Sequence, residues 1–133
     1  MKYILDTNII IYALKNKYEN LRDHFFSIPA DHIYIPSIVM AELEYGAMNS
    51  YNYDKSIVPI RAFTNAFEKI DFTINCAKEY GILRKHLKDA GQPIGGNDML
   101  IAATALAENA VLVTHNTQEF SKIPKLLLED WTK

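Results

Sequence analysis

The chain is short of several things, and each shortage excludes something. Its 133 residues contain one cysteine, Cys76, so no internal disulfide can staple the fold, which fits a reducing compartment. No apolar run approaches the length that crosses a bilayer, and Asp6 arrives too early for the apolar part of a signal peptide. A soluble, cytoplasmic protein with no membrane partner is expected. Charge of one sign is missing too: 14 Lys and Arg against 16 Asp and Glu leave a net charge of -2. No broad basic field advertises a nucleic-acid binder, unless carboxylates in a metal site mask a local basic surface. Repeats, low-complexity tracts and interdomain linkers are absent as well, so residues 1–133 read as a single domain, large enough for a real core.

What is present alternates. Tyr3-Ile4-Leu5, "HIYIP" (32–36) and "VLVT" (111–114) read as short buried strands, "KIDF" (69–72) as another, and "LLLEDW" (126–131) as a last edge strand. Between them lie helical patterns: Ile9 to Leu14, "ENLRDHFFSI", "SIVMAELEYGAMNS" with Ser37 as cap, a long helix from Thr73 to Gly91, and the alanine-rich "NDMLIAATALAENA". "YNYDKSIVP" (51–59) reads as a turn, with Pro59 starting or kinking a helix that runs to about Glu68; "HNTQEF" reads as a turn. The strand patterns are continuous rather than alternating. An α/β fold follows, three layers with a central parallel sheet of about four to five strands covered on both faces.

In such sheets ligands bind beyond the carboxyl ends of the strands, where the strand order reverses. Asp6 directly follows the first strand, Glu42 lies in the helix after the second, and Asp98 is in the first turn of the alanine-rich helix; Asn116 and Glu119 follow "VLVT". All can reach one edge of the sheet, and Glu44, two residues along its helix, points elsewhere. Each has an ordinary role when taken alone. Asp6 and Asp98 suit helix starts, Glu42 and Glu119 suit solvated faces, Asn116 suits a turn, and His115 suits a satisfied surface position. Brought together, carboxylates repel unless a cation joins them, and oxygen-only ligands select Mg²⁺, with Mn²⁺ as substitute, over zinc. Thr7 or Asn8 can cap the first helix, which would free Asp6 for a metal. Lys15, Lys17, Arg84, Lys85, Lys88, Lys122 and Lys125 are either phosphate grips or solvated charges. Tyr45, Tyr51, Tyr53, Phe63 and Phe67 are either a partner surface or core.

"YILDTNIIIYALK", "IPSIVMAELEYGA", "GQPIGGNDMLIAATALAENAVLVTHNTQEF" and the closing "EDW" resemble the PIN-domain ribonucleases, most of all the VapC-type toxins of bacterial toxin–antitoxin pairs. The similarity covers about residues 3–131 in order. It implies that Asp6, Glu42 and Asp98 are acidic metal ligands and catalytic residues. Many members carry a further acid just after the last core strand; here Asn116 stands in that region and Glu119 is the nearest acid. Glu119 is then the expected auxiliary ligand and Asn116 a polar organiser, with Thr7 and Asn8 in supporting or substrate-orienting roles. The implied activity is Mg²⁺-dependent endoribonuclease cleavage by an activated water, leaving a 5′-phosphate and a 3′-hydroxyl. The implied substrate is structured RNA such as the transfer RNA anticodon region. The implied partners are a second copy, giving a homodimer, and a cognate VapB-type antitoxin that inserts a basic side chain into the cleft. Two rivals stand beside this. A phosphatase of the haloacid-dehalogenase type would want a second Asp where Asn8 lies. A catalytically silent PIN-like module that only binds RNA or protein would have no need to bear the repulsion of Asp6, Glu42 and Asp98.

Overall fold

The apolar runs become the middle of a parallel sheet. The computed structural model describes residues 1–133, with strands β1 (Tyr3–Leu5), β2 (Ile33–Pro36), β3 (Glu68–Ile70), β4 (Val111–Val113) and β5 (Leu127–Glu129). They lie in the order β3-β2-β1-β4-β5, and every neighbouring pair is parallel. Successive strand residues point to opposite faces. Ile4 and Leu5 are both fully buried, and so are Leu112 and Val113, so both faces are covered. The edge strands β3 and β5 keep exposed positions, as strands with one free side do.

The covering elements are α1 (Thr7–Leu14), α2 (Glu19–Ser27), α3 (Ser37–Met48), α4 (Tyr53–Thr64), α5 (Ile74–Asp89), α6 (Gly96–Ala107) and the four-residue α7 (Thr117–Phe120). α6 buries Met99 and an unbroken run from Ile101 to Ala105. Three of those residues are alanines, whose small side chains let the helix sit deep in the core. The one hydroxyl in that run is satisfied locally: Thr104 Oγ1 donates to the Leu100 carbonyl at 2.9 Å. Near the C-terminus Trp131 is fully buried. It stacks on His24 at 5.2 Å and meets Tyr3 and Phe25 at 5.4 Å, pinning the last residues to β1 and α2.

Four local expectations change. Residues 53–59 are helical, because Asn52 caps α4 by accepting from the Lys55 amide. Pro59 sits inside that helix, and the carbonyl it leaves unpaired belongs to Lys55 on an exposed face, where water can serve it. α4 ends at Thr64, and β3 begins at Glu68, one residue ahead of "KIDF". Ser37 is the first residue of α3 and not its cap, since Pro36 occupies the cap position. "HNTQEF" closes into α7 from Thr117 instead of remaining a turn. The cap expected at Thr73 is present, and Gly91, at φ +66°, takes the left-handed position just past α5.

Candidate active site

The chain runs outward through β1, β2 and β3, then returns to place β4 on the other side of β1. The order therefore reverses between β1 and β4, and the crevice opens beyond their carboxyl ends. Asp6 leaves β1 at that point, its amide donating to the Val113 carbonyl at 3.0 Å. The Asp6 side chain is buried, with 5 % exposure. Oδ1 accepts from the Thr7 amide and Oδ2 from the Thr114 hydroxyl, both at 2.8 Å. Thr114 is itself fully buried, and its oxygen accepts from the Asn116 amide at 2.9 Å. A relay thus runs from the Asn116 backbone through Thr114 to Asp6. Burial raises the Asp6 pKa, the Thr114 and Thr7 hydrogen bonds pull it down, and the Glu42 charge pushes it up again.

The capping expectation is reversed here. Asp6 itself caps α1, and Thr7 is the first helical residue. The Thr7 hydroxyl is spent on Glu42, donating to Oε1 at 2.6 Å, so α1 fixes a side chain of α3. Asn8 is exposed. Glu44 faces away, tied to the Tyr53 hydroxyl at 2.8 Å and to Arg61 at 2.9 Å.

Asp98 stands half-buried in the first turn of α6. Its pKa is pushed up to about 6, first by burial and then by the charges of Asp6, Glu42 and Glu119. The elements after β1, after β2, before β4 and after β4 therefore deliver four carboxylates into one another's field. Glu119 lies in α7 with Lys122 Nζ at 3.3 Å from Oε2. No three acidic, histidine or cysteine side chains converge on a single point, so the acids are neighbours and not a closed coordination shell. An open cleft of about 540 Å³ lies beside them, lined by Thr7, Glu42 and Asn97 among others.

The remaining candidates sort by their partners. Lys85 pairs with Asp89 and Arg84 reaches the Tyr80 ring, whereas Lys15 and Lys17 have no carboxylate partner. Phe63 and Phe67 pack around Phe25, and Tyr45 and Tyr51 are exposed at the end of α3. His115 is satisfied by Asp130 and Thr132. The residue that sequence reasoning missed is Thr114. Its signal was a hydroxyl ending a wholly apolar strand, at the point where the chain enters the crevice.

The PIN domain family model matches residues 3–126. The chain belongs to the PIN-domain family. It is 42% identical over 134 residues to ribonuclease VapC2 of Rickettsia felis, covering 100% of both chains. It is 35% identical over 131 residues to the tRNA(fMet)-specific endonuclease VapC of Salmonella typhimurium, covering 98% of each. The crystal structure of VapBC2 from Rickettsia felis, bound to a DNA fragment from its promoter, superposes with a TM-score of 0.93 over 98% of this chain and 99% of that one, at 42% identity. Within the family the chain is a VapC ribonuclease, a metal-dependent class of nuclease. The residues present fit a hard divalent cation: the donors are all oxygen, and burial together with the neighbouring carboxylates raises the Asp98 pKa, a cost that positive charge would offset. No helix of this chain is long and apolar enough to cross a membrane.

Proposed function

We propose that the chain is the toxin of a toxin–antitoxin pair, a Mg²⁺-dependent endoribonuclease acting on structured RNA, with the transfer RNA anticodon region as its target. The observation that carries this is the placement of Asp6, Glu42, Asp98 and Glu119, from four parts of the chain, as neighbours beyond the carboxyl ends of the strands where the strand order reverses. Asp6, Glu42 and Asp98 would hold the cation, with Glu119 as auxiliary ligand. When bound, the cation supplies charge neutralisation and Lewis acidity at the phosphodiester.

The chain's own groups do the positioning. The Thr7 amide and the Thr114 hydroxyl fix both oxygens of Asp6, each of which keeps a further lone pair free to accept. Thr7 Oγ1 holds Glu42 in the same way from the other side. The Asn116 amide locks Thr114, which leaves the Asn116 side chain to orient water or RNA. The cleft beside Thr7 and Glu42 has room for a nucleotide. Water is the nucleophile, and scission of the P–O3′ bond leaves a 5′-phosphate and a 3′-hydroxyl. The target follows the Salmonella typhimurium relative, which is specific for tRNA(fMet). The partners are a VapB-type antitoxin and a second copy, for which Tyr45 at the cleft and exposed Met48 and Tyr51 offer apolar surface.

Cleavage of total cellular RNA by the purified chain tests this reading. Transfer RNA fragments with 5′-phosphates are expected in Mg²⁺, none in EDTA and none with Asp6→Asn. Cleavage unaffected by chelation would overturn the metal role, and failure to cut any RNA would leave a binding module.

A further inference from the structure

Next to the acids lies an aromatic and cationic surface that the cleavage chemistry does not use. His115 directly follows Thr114, the residue that holds Asp6, so this surface starts one residue along the chain from the acidic edge. The His115 ring lies 5.9 Å from that of Tyr12 and 5.7 Å from that of Tyr18. Tyr12 and Tyr18 meet edge to face at 5.4 Å. Lys17 Nζ sits 4.6 Å from the Tyr12 ring centre and 5.6 Å from that of Tyr18. These residues come from α1, the loop after it and the bend that follows β4.

The cluster is oriented from behind. His115 Nδ1 meets Asp130 Oδ2 at 3.2 Å and Thr132 Oγ1 at 3.0 Å. Asp130 is in turn held by the Thr132 amide at 3.0 Å and hydroxyl at 2.6 Å. That engagement fixes the ring and turns Nε2 outward. On the front, Nε2 and the hydroxyls of Tyr12 and Tyr18 make no hydrogen bond within the protein, and Lys17 has no carboxylate partner. The acid in contact, Asp130, is occupied by Thr132 and His115; Glu19, beside Tyr18, is exposed. Tyr12 and Tyr18 are half-buried against the core while His115 and Lys17 are exposed, and such anchored rings with free hydrogen-bonding groups and a cation suit an unpaired nucleobase with its phosphate. A protein anchor would favour apolar burial without free polar groups.

We propose that Tyr12, Tyr18, His115 and Lys17 form a subsite for an unpaired RNA nucleobase and its phosphate, flanking the cleaved bond. The subsite rests on the ribonuclease reading above and adds to it where the single-stranded part of the substrate is gripped. The test measures binding of a labelled RNA stem-loop to the full chain with Ca²⁺ in place of Mg²⁺, and cleavage kinetics with Mg²⁺. Tyr18→Leu and His115→Leu are each expected to weaken binding about fivefold or more, and to raise KM with kcat kept. Tyr18→Phe, which keeps the ring and loses only the hydroxyl, is expected to weaken binding less than Tyr18→Leu does. Lys17→Ala lowers the slope of log Kd against log salt by about 0.7.

Should Tyr18→Leu fail to fold, His115→Leu and Lys17→Ala, both at exposed positions, decide the matter. Folded variants that bind like wild type overturn the subsite, and if wild type still cleaves RNA the ribonuclease reading stands. Variants that keep RNA but lose the antitoxin also overturn it, assigning the surface to protein. A wild-type chain that neither binds nor cleaves RNA removes both readings.

Discussion

The two sides of the acidic edge are built to different standards. On the β1 side, Asp6 is buried with both oxygens held, and Glu42 is held by Thr7. On the α7 side, Glu119 is half-buried, leans on Lys122 and sits on a four-residue helix, while the Asn116 side chain has no partner. The first arrangement fixes geometry before any ligand arrives; the second can adjust to one. Preorganised groups are expected to carry catalysis and adjustable ones to tune it.

That contrast can be broken from its strongest point downward. Asp6→Asn or Asp98→Asn should reduce RNA cleavage by more than about a hundredfold, beyond the loss typical of an outer-shell partner, as read from kcat/KM on a defined RNA. Thr114→Val keeps the shape but removes the hydroxyl from Asp6. It should cost about 10–100-fold in activity or cation affinity, with Thr114→Ser restoring most of it. Glu119→Gln should cost about tenfold or less; a loss equal to that of Asp98→Asn would erase the distinction between the two sides.

The smallest effect is on stability. The native Asp98 pKa of about 6 lies above the ordinary 3.8, so the folded state holds that proton more tightly than the unfolded chain does. In EDTA the protein should therefore gain stability as pH falls from about 7 towards 5, and lose it again as pH rises through 6. Solvent screening of this half-exposed group limits the gain to about 1 kcal/mol. Denaturant melts check it: Asp98→Asn should flatten that part of the pH dependence.

The sheet was legible because its strands are short apolar runs whose polar ends announce themselves. That Asp6, Glu42, Asp98 and Glu119 could reach one edge followed from the parallel α/β pattern, because acids just after strands or at helix starts collect at the carboxyl ends of the sheet. What could not be read were choices between equivalent donors. Asp6, Thr7 and Asn8 are all good cap residues, and only the three-dimensional position of Glu42 determines that Thr7 turns to it and Asp6 does the capping. Thr114 looked like the tail of a strand because its partner is 108 residues away. α4 was hidden by Pro59, whose usual meaning as a helix start fails where the lost hydrogen bond faces water.

The proposed function requires Asp6, Glu42, Asp98 and Glu119 to share a divalent cation. Thermal melts of wild type and Asp98→Asn across a MgCl₂ series at pH 7.5 test it most directly. A ligand that binds only the native state raises Tm with concentration. Wild type should show a rising Tm, starting below that of Asp98→Asn in EDTA, while the variant stays flat. Equal rises in both proteins, or none in wild type, would contradict the account.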